Sequence, residues 1–232
     1  AVALAGGGAV PKPGEVSLAH NGVLFLDELP EFPKQVTEIL RQPLEDGEIT
    51  ITRALGHCTF PTRFMMVCAM NPCRCGNYGN PQKKCTCRKE DIQKYMARIS
   101  GPLLDRIDLQ VEVPTLSFED FSAAEERESS ESVRCRVNRA RAFAKERFEK
   151  VSQPAHCNAE LSPRDVGRFC LLEKEAEELL RDAYNSLGLS ARGHDRILRV
   201  ARTIADLAGS EKVSAAHVAE AIRLRKLDRK YF

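Results

Sequence analysis

The sequence lacks a long hydrophobic run and an excess of charge of one sign. No apolar stretch among its 232 residues approaches the ~18 that a membrane-spanning helix requires. The formal net charge is +2, so any nucleic-acid contact has to come from a local basic patch. The small apolar residues 1–10 have neither the basic flank nor the cleavage pattern of a signal peptide. We expect a soluble, cytoplasmic protein without membrane contact, whose chain continues upstream of residue 1.

A complete disulfide framework is also lacking, because the nine cysteines are an odd number. This usage suits a reducing cytoplasm. Five cysteines are scattered through apolar or helical segments, where we expect plain buried or neutral thiols: Cys58, Cys68, Cys135, Cys157 and Cys170. The other four form two close pairs: Cys73, Cys75, Cys85 and Cys87.

Apolar runs in the first half predict a sheet. Residues 23–27 read as a parallel strand buried on both faces, residues 64–70 as a second buried strand and residues 107–113 as a third. Alternation over residues 48–53, with a return at 58–60 through Gly56, predicts a hairpin.

The chain after Pro114 changes character. It becomes acidic over residues 119–131 and then helical, with an amphipathic helix over 132–150 and further helices near 173–187, 194–208 and 214–226. We predict an α/β fold, with a partial parallel-sheet core followed by a small all-helical lid. The predicted boundaries are a core over 1–118, a connecting segment over 119–155 and a lid over 156–232.

Polar residues follow the first two strands. Asp27 and Glu28 end the first strand, where an aspartate can hold Mg²⁺ through its water shell and a glutamate can orient an attacking water. Asn71 ends the second strand, where an amide can bind a phosphate. A solvated strand end and an Asn-Pro turn are the alternative interpretations.

Two arginines complete this series. Arg106 precedes the third predicted strand and could reach a neighbouring subunit, while the alternative is a surface salt bridge with Asp105 or Asp108. Arg196 lies in an arginine-rich lid helix and could touch nucleotide phosphates, while the alternative is a basic face in solvent.

The paired cysteines suit a tetrahedral metal. Nine residues lie between the pair Cys73 and Cys75 and the pair Cys85 and Cys87, and Gly76 and Gly79 allow the loop to turn tightly. Structural Zn²⁺ is the interpretation that we favour. Free or redox-sensitive thiols and an iron–sulfur cluster are the alternatives.

Basic residues near the hairpin and the cysteines are candidates for contact with a phosphate backbone. They are Arg53, His57, Arg63, Lys83 and Lys84, and Arg88 and Lys89 adjoin the second cysteine pair. The alternative is an ordinary solvated surface.

Several segments resemble the Mg-chelatase-like AAA+ proteins of the ComM/YifB type. They are Leu4–Gly8, Pro13–His20, Leu24–Glu28, Ile99–Asp108 and Val200–Asp206. The resemblance implies that Asp27 and Glu28 are the Walker B pair, Asn71 is sensor 1, Arg106 is the arginine finger and Arg196 is sensor 2. It also implies a helix-2 insertion at residues 5–20 and a pre-sensor-1 hairpin at residues 48–63.

The resemblance further implies an ATPase that uses ATP and Mg²⁺ in a homo-oligomeric ring, a hexamer. It implies action on DNA, in branch migration or a helicase-like activity during natural transformation. The sequence contains no Gly-x-x-x-x-Gly-Lys-Ser/Thr, so it departs from the family by lacking the P-loop, or Walker A motif. We expect this motif upstream of residue 1, and we expect residues 1–232 alone not to hydrolyse ATP.

Three functions remain open at this stage. The first is an ATP-driven ring motor acting on DNA. The second is a chelatase-type ATPase that remodels a metal-inserting partner. The third is a non-catalytic, zinc-stabilised module that binds nucleic acid.

Overall fold

A computed structural model describes residues 2–53, 56–115, 128–152 and 154–225. They form two compact units, one built from residues up to Ile107 and the other from Asp108 onwards. The first unit is mixed α/β with a parallel strand pair and the second is helical. The predicted α/β class with a helical C-terminal part is therefore confirmed. Within the described ranges, no helix has the length and apolarity needed to cross a membrane.

The first unit contains short helices and three strand pairs. Its helices are α1 (Val2–Ala5), α2 (Glu15–Leu18), α3 (Lys34–Ile39), α4 (Arg41–Asp46), α5 (Lys89–Met96) and α6 (Gly101–Leu104). Its strands are β1 (Gly6–Gly7), β2 (Lys12–Pro13), β3 (Val23–Leu26), β4 (Glu48–Arg53), β5 (Gly56–Pro61) and β6 (Met65–Cys68).

The strand β3 pairs in parallel with β6, and Leu26 lies opposite Cys68. The strands β4 and β5 form the predicted hairpin, in which Ile49 and Ile51 point inward and are each 5% exposed. The predicted hairpin at residues 48–63 is thus confirmed over Glu48–Arg53 and Gly56–Pro61. Gly47, with a left-handed φ of 70°, ends α4 and starts the hairpin.

The β1–β2 pair explains two glycines of the segment at residues 5–20. Gly6 and Pro13 are partners in its antiparallel register. A Cβ atom at Gly6 would collide with the carbonyl oxygen of Lys12, and one at Gly14 would collide with the backbone nitrogen of Gly6. Only glycine permits this backbone approach.

The core of the first unit lies on one face of the β3–β6 pair. Leu24 and Leu26 point into it, together with Leu29 and Leu40. Val23 and Phe25 alternate with them and are 58% and 59% exposed. The prediction that the first strand is buried on both faces is therefore wrong for the described residues, because their core covers only one side of the pair.

The predicted strand at residues 107–113 is absent from the structure. These residues have an irregular backbone and no ladder partner within the described ranges. In the second unit, the N–H of Gln110 instead donates to the carbonyl oxygen of Leu224 at 2.6 Å. An apolar run becomes a strand only where a neighbouring strand satisfies its backbone groups.

The second unit is a set of helices around one core. They are α7 (Ser130–Phe148), α8 (Pro163–Phe169), α9 (Lys174–Leu187), α10 (Ala191–Leu207) and α11 (Ala215–Arg223). Serine residues cap α7, α8 and α10, where Ser129, Ser162 and Ser190 each accept a backbone N–H. Residues that are almost fully buried, among them Ile197 and Ala201, form the core.

Candidate functional site

Asp27 and Glu28 follow β3 directly, at the edge where β3 and β6 both end. The ladder continues around them. The N–H of Ala69 donates to Leu26 at 2.9 Å, and the N–H of Leu29 donates back to Ala69 at 3.1 Å. The acidic pair sits between these two bonds, and both of its residues are exposed. The sheet thus presents two adjacent carboxylates to solvent at its carboxyl edge.

The backbone of Glu28 is left-handed, with φ 51° and ψ 44°. For a residue other than glycine, this backbone conformation costs about 1–2 kcal/mol. A carboxylate oxygen of Asp27 accepts the backbone N–H of Glu28 at 2.8 Å, which helps to hold the pair in one arrangement. Backbone strain of this kind clusters at functional sites, which makes the acidic pair a candidate.

Asn71 lies three residues beyond the end of β6, at the same edge of the sheet, and is exposed. Its side-chain oxygen lies 3.9 Å from the place where a Cβ atom of Gly76 would be. The amide therefore lies over the first turn of the cysteine loop. This arrangement connects Asn71 to the cluster described below.

Two residues that the sequence analysis did not single out support the acidic edge. Tyr95 is 3% exposed, and burial raises the pKa of its hydroxyl, with further contributions from the charges of Glu31 and Glu28. Arg98 donates to the carbonyl oxygen of Pro30 at 3.0 Å and to Glu31 at 2.9 Å. The available signal was their position in and just after the helix that follows the cysteine loop.

Arg106 is held inside the first unit. Its guanidinium donates to the carbonyl oxygen of Pro102 at 2.6 Å and forms a salt bridge with Glu45 of α4. The side chain is only 9% exposed. In the single chain, this arginine is therefore occupied by a carboxylate 61 residues away in sequence.

Arg196 belongs to the second unit and donates to Asp108 at 2.6 Å. Its side chain is 16% exposed. Arg199 donates to the carbonyl oxygen of Leu161 at 2.7 Å, and Arg202 is fully buried. A basic face in solvent is therefore the wrong interpretation for these three arginines of α10.

The buried arginine belongs to a network inside the second unit. Asp206 accepts two hydrogen bonds from Arg147, at 2.7 and 2.8 Å, and others from Arg202 and Asn158. Desolvation lowers the pKa of Arg202, and the charge of Asp206 opposes that shift. This network ties α7 to α10 by charge-assisted hydrogen bonds.

The four paired cysteines meet at one point. Their sulfur atoms all lie within 4.8 Å of one another. The sulfur of Cys73 lies 3.4 Å from that of Cys75 and 3.7 Å from that of Cys85, and Cys75 lies 3.6 Å from Cys85. Cys73 is completely buried, beside Ile92 and Tyr95. The cluster thus packs against α5, the helix that also supports the acidic edge.

Hydrogen bonds and mutual repulsion separate the thiols electrostatically. Backbone N–H groups of Asn77 and Thr86 lower the pKa of Cys75 to about 5. The backbone of Cys87 also favours the Cys85 thiolate, but burial and the neighbouring sulfurs outweigh it and raise that pKa to about 12. Of these two thiols, Cys75 is therefore the one that loses its proton more readily.

The basic candidates all lie on the surface of the first unit. Arg53 and His57 flank the tip of the β4–β5 hairpin, where His57 is opposite Thr52. The backbone N–H of Arg63, just after β5, donates to His20 at 3.0 Å. The full exposed set is Arg53, His57, Arg63, Lys83 and Lys84.

Comparisons with known proteins cover both units. The family described as magnesium chelatase, subunit ChlI, matches residues 1–121, and its C-terminal counterpart matches residues 127–225. The chain is 46% identical over 228 residues to competence protein ComM of Haemophilus influenzae, which covers 98% of this chain and 43% of ComM. It is 43% identical over 228 residues to the uncharacterized protein YifB of Escherichia coli, covering 98% and 44%.

A more distant relative is the maternal DNA replication licensing factor mcm6 of Xenopus tropicalis. It is 24% identical over 238 residues, which cover 93% of this chain and 26% of the relative. The chain thus spans less than half the length of these relatives. The family matches and the high identities agree with an α/β core that is followed by a helical unit. The chain belongs to the Mg-chelatase-like family of AAA+ proteins.

Proposed function

We propose that this chain is the C-terminal portion of an ATP-dependent ring motor that acts on DNA. The observation that carries the proposal is the arrangement of Asp27, Glu28 and Asn71 at the carboxyl edge of β3 and β6. Open α/β sheets bind their ligands in the crevice outside this edge. Membership of an AAA+ family supports nucleotide as that ligand.

The side chains at this edge fit Mg²⁺ and a nucleoside triphosphate. Exposed carboxylate oxygens are ligands that Mg²⁺ accepts, directly or through its waters. Asp27 would hold the ion, Glu28 would orient the attacking water, and the amide of Asn71 would bind a phosphate or that water. The bound ion would neutralise charge on the phosphates. The P-loop would come from the part of the protein upstream of residue 1.

Arg106 would act as the arginine finger on the nucleotide of a neighbouring copy. It would have to exchange Glu45 for a phosphate, since the two residues form a salt bridge in the single chain. A finger supplied in trans requires self-assembly, and we propose a hexameric ring. Arg196 is our proposed sensor 2 residue, on the strength of its place in the family pattern.

DNA is the substrate that the surface and the relatives favour. Five exposed candidate side chains carry or can gain positive charge on the first unit: Arg53, His57, Arg63, Lys83 and Lys84. One relative is named as a DNA replication licensing factor and another as a competence protein. The family description as a magnesium chelatase subunit supports the second candidate, an ATPase that remodels a metal-inserting partner.

Structural zinc is our proposal for the cysteine cluster. A zinc–sulfur bond of about 2.3 Å places the corners of a tetrahedron about 3.8 Å apart. The three sulfur separations of 3.4, 3.6 and 3.7 Å are close to this value. Four thiolates that ligate several irons would lie farther apart than four that share one ion. The zinc would order the loop between Asn71 and α5.

Hydrolysis of ATP by the full-length protein, with and without single-stranded or forked DNA, tests the proposed function. We expect turnover that DNA stimulates. We expect Glu28→Gln to keep ATP binding but to lower the rate of ATP hydrolysis about 10²–10⁴-fold, the usual effect of removing a general base. Glu48→Gln removes an exposed carboxylate of the same unit and is the matched control.

Other outcomes would favour the competing functions. Turnover that ignores DNA but responds to a protein partner would support the chelatase-type ATPase. DNA binding by a full-length protein that neither binds nor hydrolyses ATP would support the non-catalytic module.

A further inference from the structure

The helix α7 (Ser130–Phe148) stands largely free of the second unit. Every residue from Ser130 to Arg139 is exposed, and Ala144 is its only buried residue. The contacts of α7 with the unit lie near its C-terminal end, where Phe148 packs on the helical core and Arg147 pairs with Asp206. The rest of the helix therefore presents its side chains to solvent.

Three basic residues form a stripe on this exposed helix. Arg134, Arg141 and Lys145 are spaced at i, i+7 and i+11, so helical geometry places them within about 40° of one another. The stripe extends for about 16 Å along the helix axis. All three side chains belong to exposed residues. We call these three residues the basic stripe.

Basic residues outnumber acidic ones on α7, so the positive charge of the basic stripe is not balanced on its own helix. The helix carries six basic residues and two acidic ones. Arg136 is bound by Glu128 at 2.6 Å, and Arg147 by Asp206 at 2.7 Å. By contrast, no stripe residue has a salt bridge or side-chain hydrogen bond within the described part of the chain.

We propose that the basic stripe is a second DNA-contacting surface, which binds the phosphate backbone independently of base sequence. The proposal rests on the proposed function and extends it from the first unit to the second. Like charges at i and i+4, as at Arg141 and Lys145, destabilise a helix, and a polyanion relieves that repulsion. The exposed aromatic of this helix, Phe143, lies on the opposite side from the stripe, so stacking on bases is not expected here.

The salt dependence of DNA binding by the full-length protein tests whether the basic stripe contacts DNA. The variant Arg134→Gln, Arg141→Gln, Lys145→Gln should lower the magnitude of the slope of log K against log salt by about two to three, because each lost phosphate contact removes about 0.7–0.9. The control variant Arg164→Gln, Lys174→Gln, Lys212→Gln removes three exposed charges elsewhere on the unit and should leave the slope unchanged.

The outcomes separate the inference from the proposed function. Equal slopes for the two triple variants and the wild type would overturn the stripe while leaving DNA as the substrate. A wild-type protein that binds no DNA at low salt would overturn both. A stripe variant that keeps its DNA affinity but loses binding to polyglutamate would overturn the stripe in favour of an acidic protein partner.

A single substitution keeps the proposal testable if the triple variant misfolds. Arg134 lies ten residues before the buried Ala144, so Arg134→Gln should leave the circular dichroism spectrum unchanged. It should still lower the slope by about one. An unchanged slope in this folded variant, together with an unchanged slope in the triple variant, would overturn the proposal.

Discussion

At the scale of single residues, the cysteine cluster connects chemistry to position. Gly76 turns the loop with a left-handed φ of 75°, which returns the chain towards the second pair. Cys73 then becomes part of the small core beside Tyr95, whose pKa the acidic residues Glu31 and Glu28 help to raise. Loss of the cluster should therefore disturb the acidic edge as well as the loop.

We expect one equivalent of zinc in protein prepared without added metal. Elemental analysis is the measurement, and Cys85→Ser should abolish binding because it removes one of four ligands. Cys135→Ser, at an exposed cysteine on α7, is the matched control and should retain the full equivalent. A metal-free protein with an ordered loop and four readily alkylated thiols would contradict the zinc site.

The scattered cysteines divide by environment. Burial raises the pKa of Cys68 and of Cys170 to about 11, so both are neutral near pH 7, as predicted. Cys135 and Cys157 are exposed, so at these two positions the expectation of a buried or neutral thiol is not met by burial. Sequence context does not reveal this difference, because only packing decides whether an apolar segment covers a given thiol.

At the scale of elements, the start of α8 shows how a local motif acquires a distant partner. The sequence predicts the cap at Ser162 and the proline at Pro163, and both are confirmed. Asp165 donates its N–H to Ser162 and accepts the hydroxyl of Ser162 at 2.6 Å, which closes the cap. It also accepts the hydroxyl of Ser152 at 2.6 Å, 13 residues away.

These bonds give the helical unit a pH dependence. Hydrogen bonds from Ser152 and then Ser162 lower the pKa of Asp165, so the carboxylate is favoured in the folded state. Its stabilisation is present above the ordinary pKa of about 3.9 and is lost as the pH falls through the lowered folded value. Asp165→Asn should therefore lower the urea midpoint at pH 7, and the difference from wild type should shrink below about pH 4.

Asp182 of α9 provides the control for this comparison, because it is an exposed aspartate in the same unit. Asp182→Asn should leave the urea midpoint near that of the wild type throughout the titration. A constant difference between Asp165→Asn and wild type down to pH 2 would mean that the aspartate acts through shape alone and not through its charge.

At the scale of the whole molecule, the proposed ring would form each ATP site from two subunits. Glu28 would come from one subunit and Arg106 from its neighbour. In the full-length protein, Arg106→Ala should keep ATP binding and lose turnover by about 10³-fold or more, because a finger in trans stabilises charge in the transition state. Mixing this variant with Glu28→Gln should restore part of the activity. Loss of ATP binding in Arg106→Ala would instead assign the residue to the fold, through Glu45.

Arg41→Ala is the matched control for the finger. Arg41 also forms a salt bridge on a short helix of the first unit, with Glu38 at 2.7 Å. It should retain turnover, because surface ion pairs contribute at most about 1 kcal/mol. Failure of the mixed variants to recover any activity, with both proteins folded and assembled, would contradict a shared site.

The sequence by itself determined the features that depend on neighbours along the chain. Alternating side chains predict the β4–β5 hairpin, serine and proline predict the start of α8, and acidic residues after an apolar run predict the polar edge at Asp27. Short segments such as Leu24–Glu28 and Ile99–Asp108 were enough for the family resemblance, which the matches over both units confirm. Local periodicity and capping carry this information because they act within a few residues.

The tertiary structure alone decided what depends on residues far apart. Among the described residues, it left one face of β3 open, gave residues 107–113 no strand partner, and paired Arg106 with Glu45. It also turned Arg202 inward to Asp206, which neither a phosphate contact nor a solvent-facing basic helix predicts. A charged or apolar side chain has the same sequence signal whether it is buried or exposed, and only the packing of distant segments around it determines which occurs.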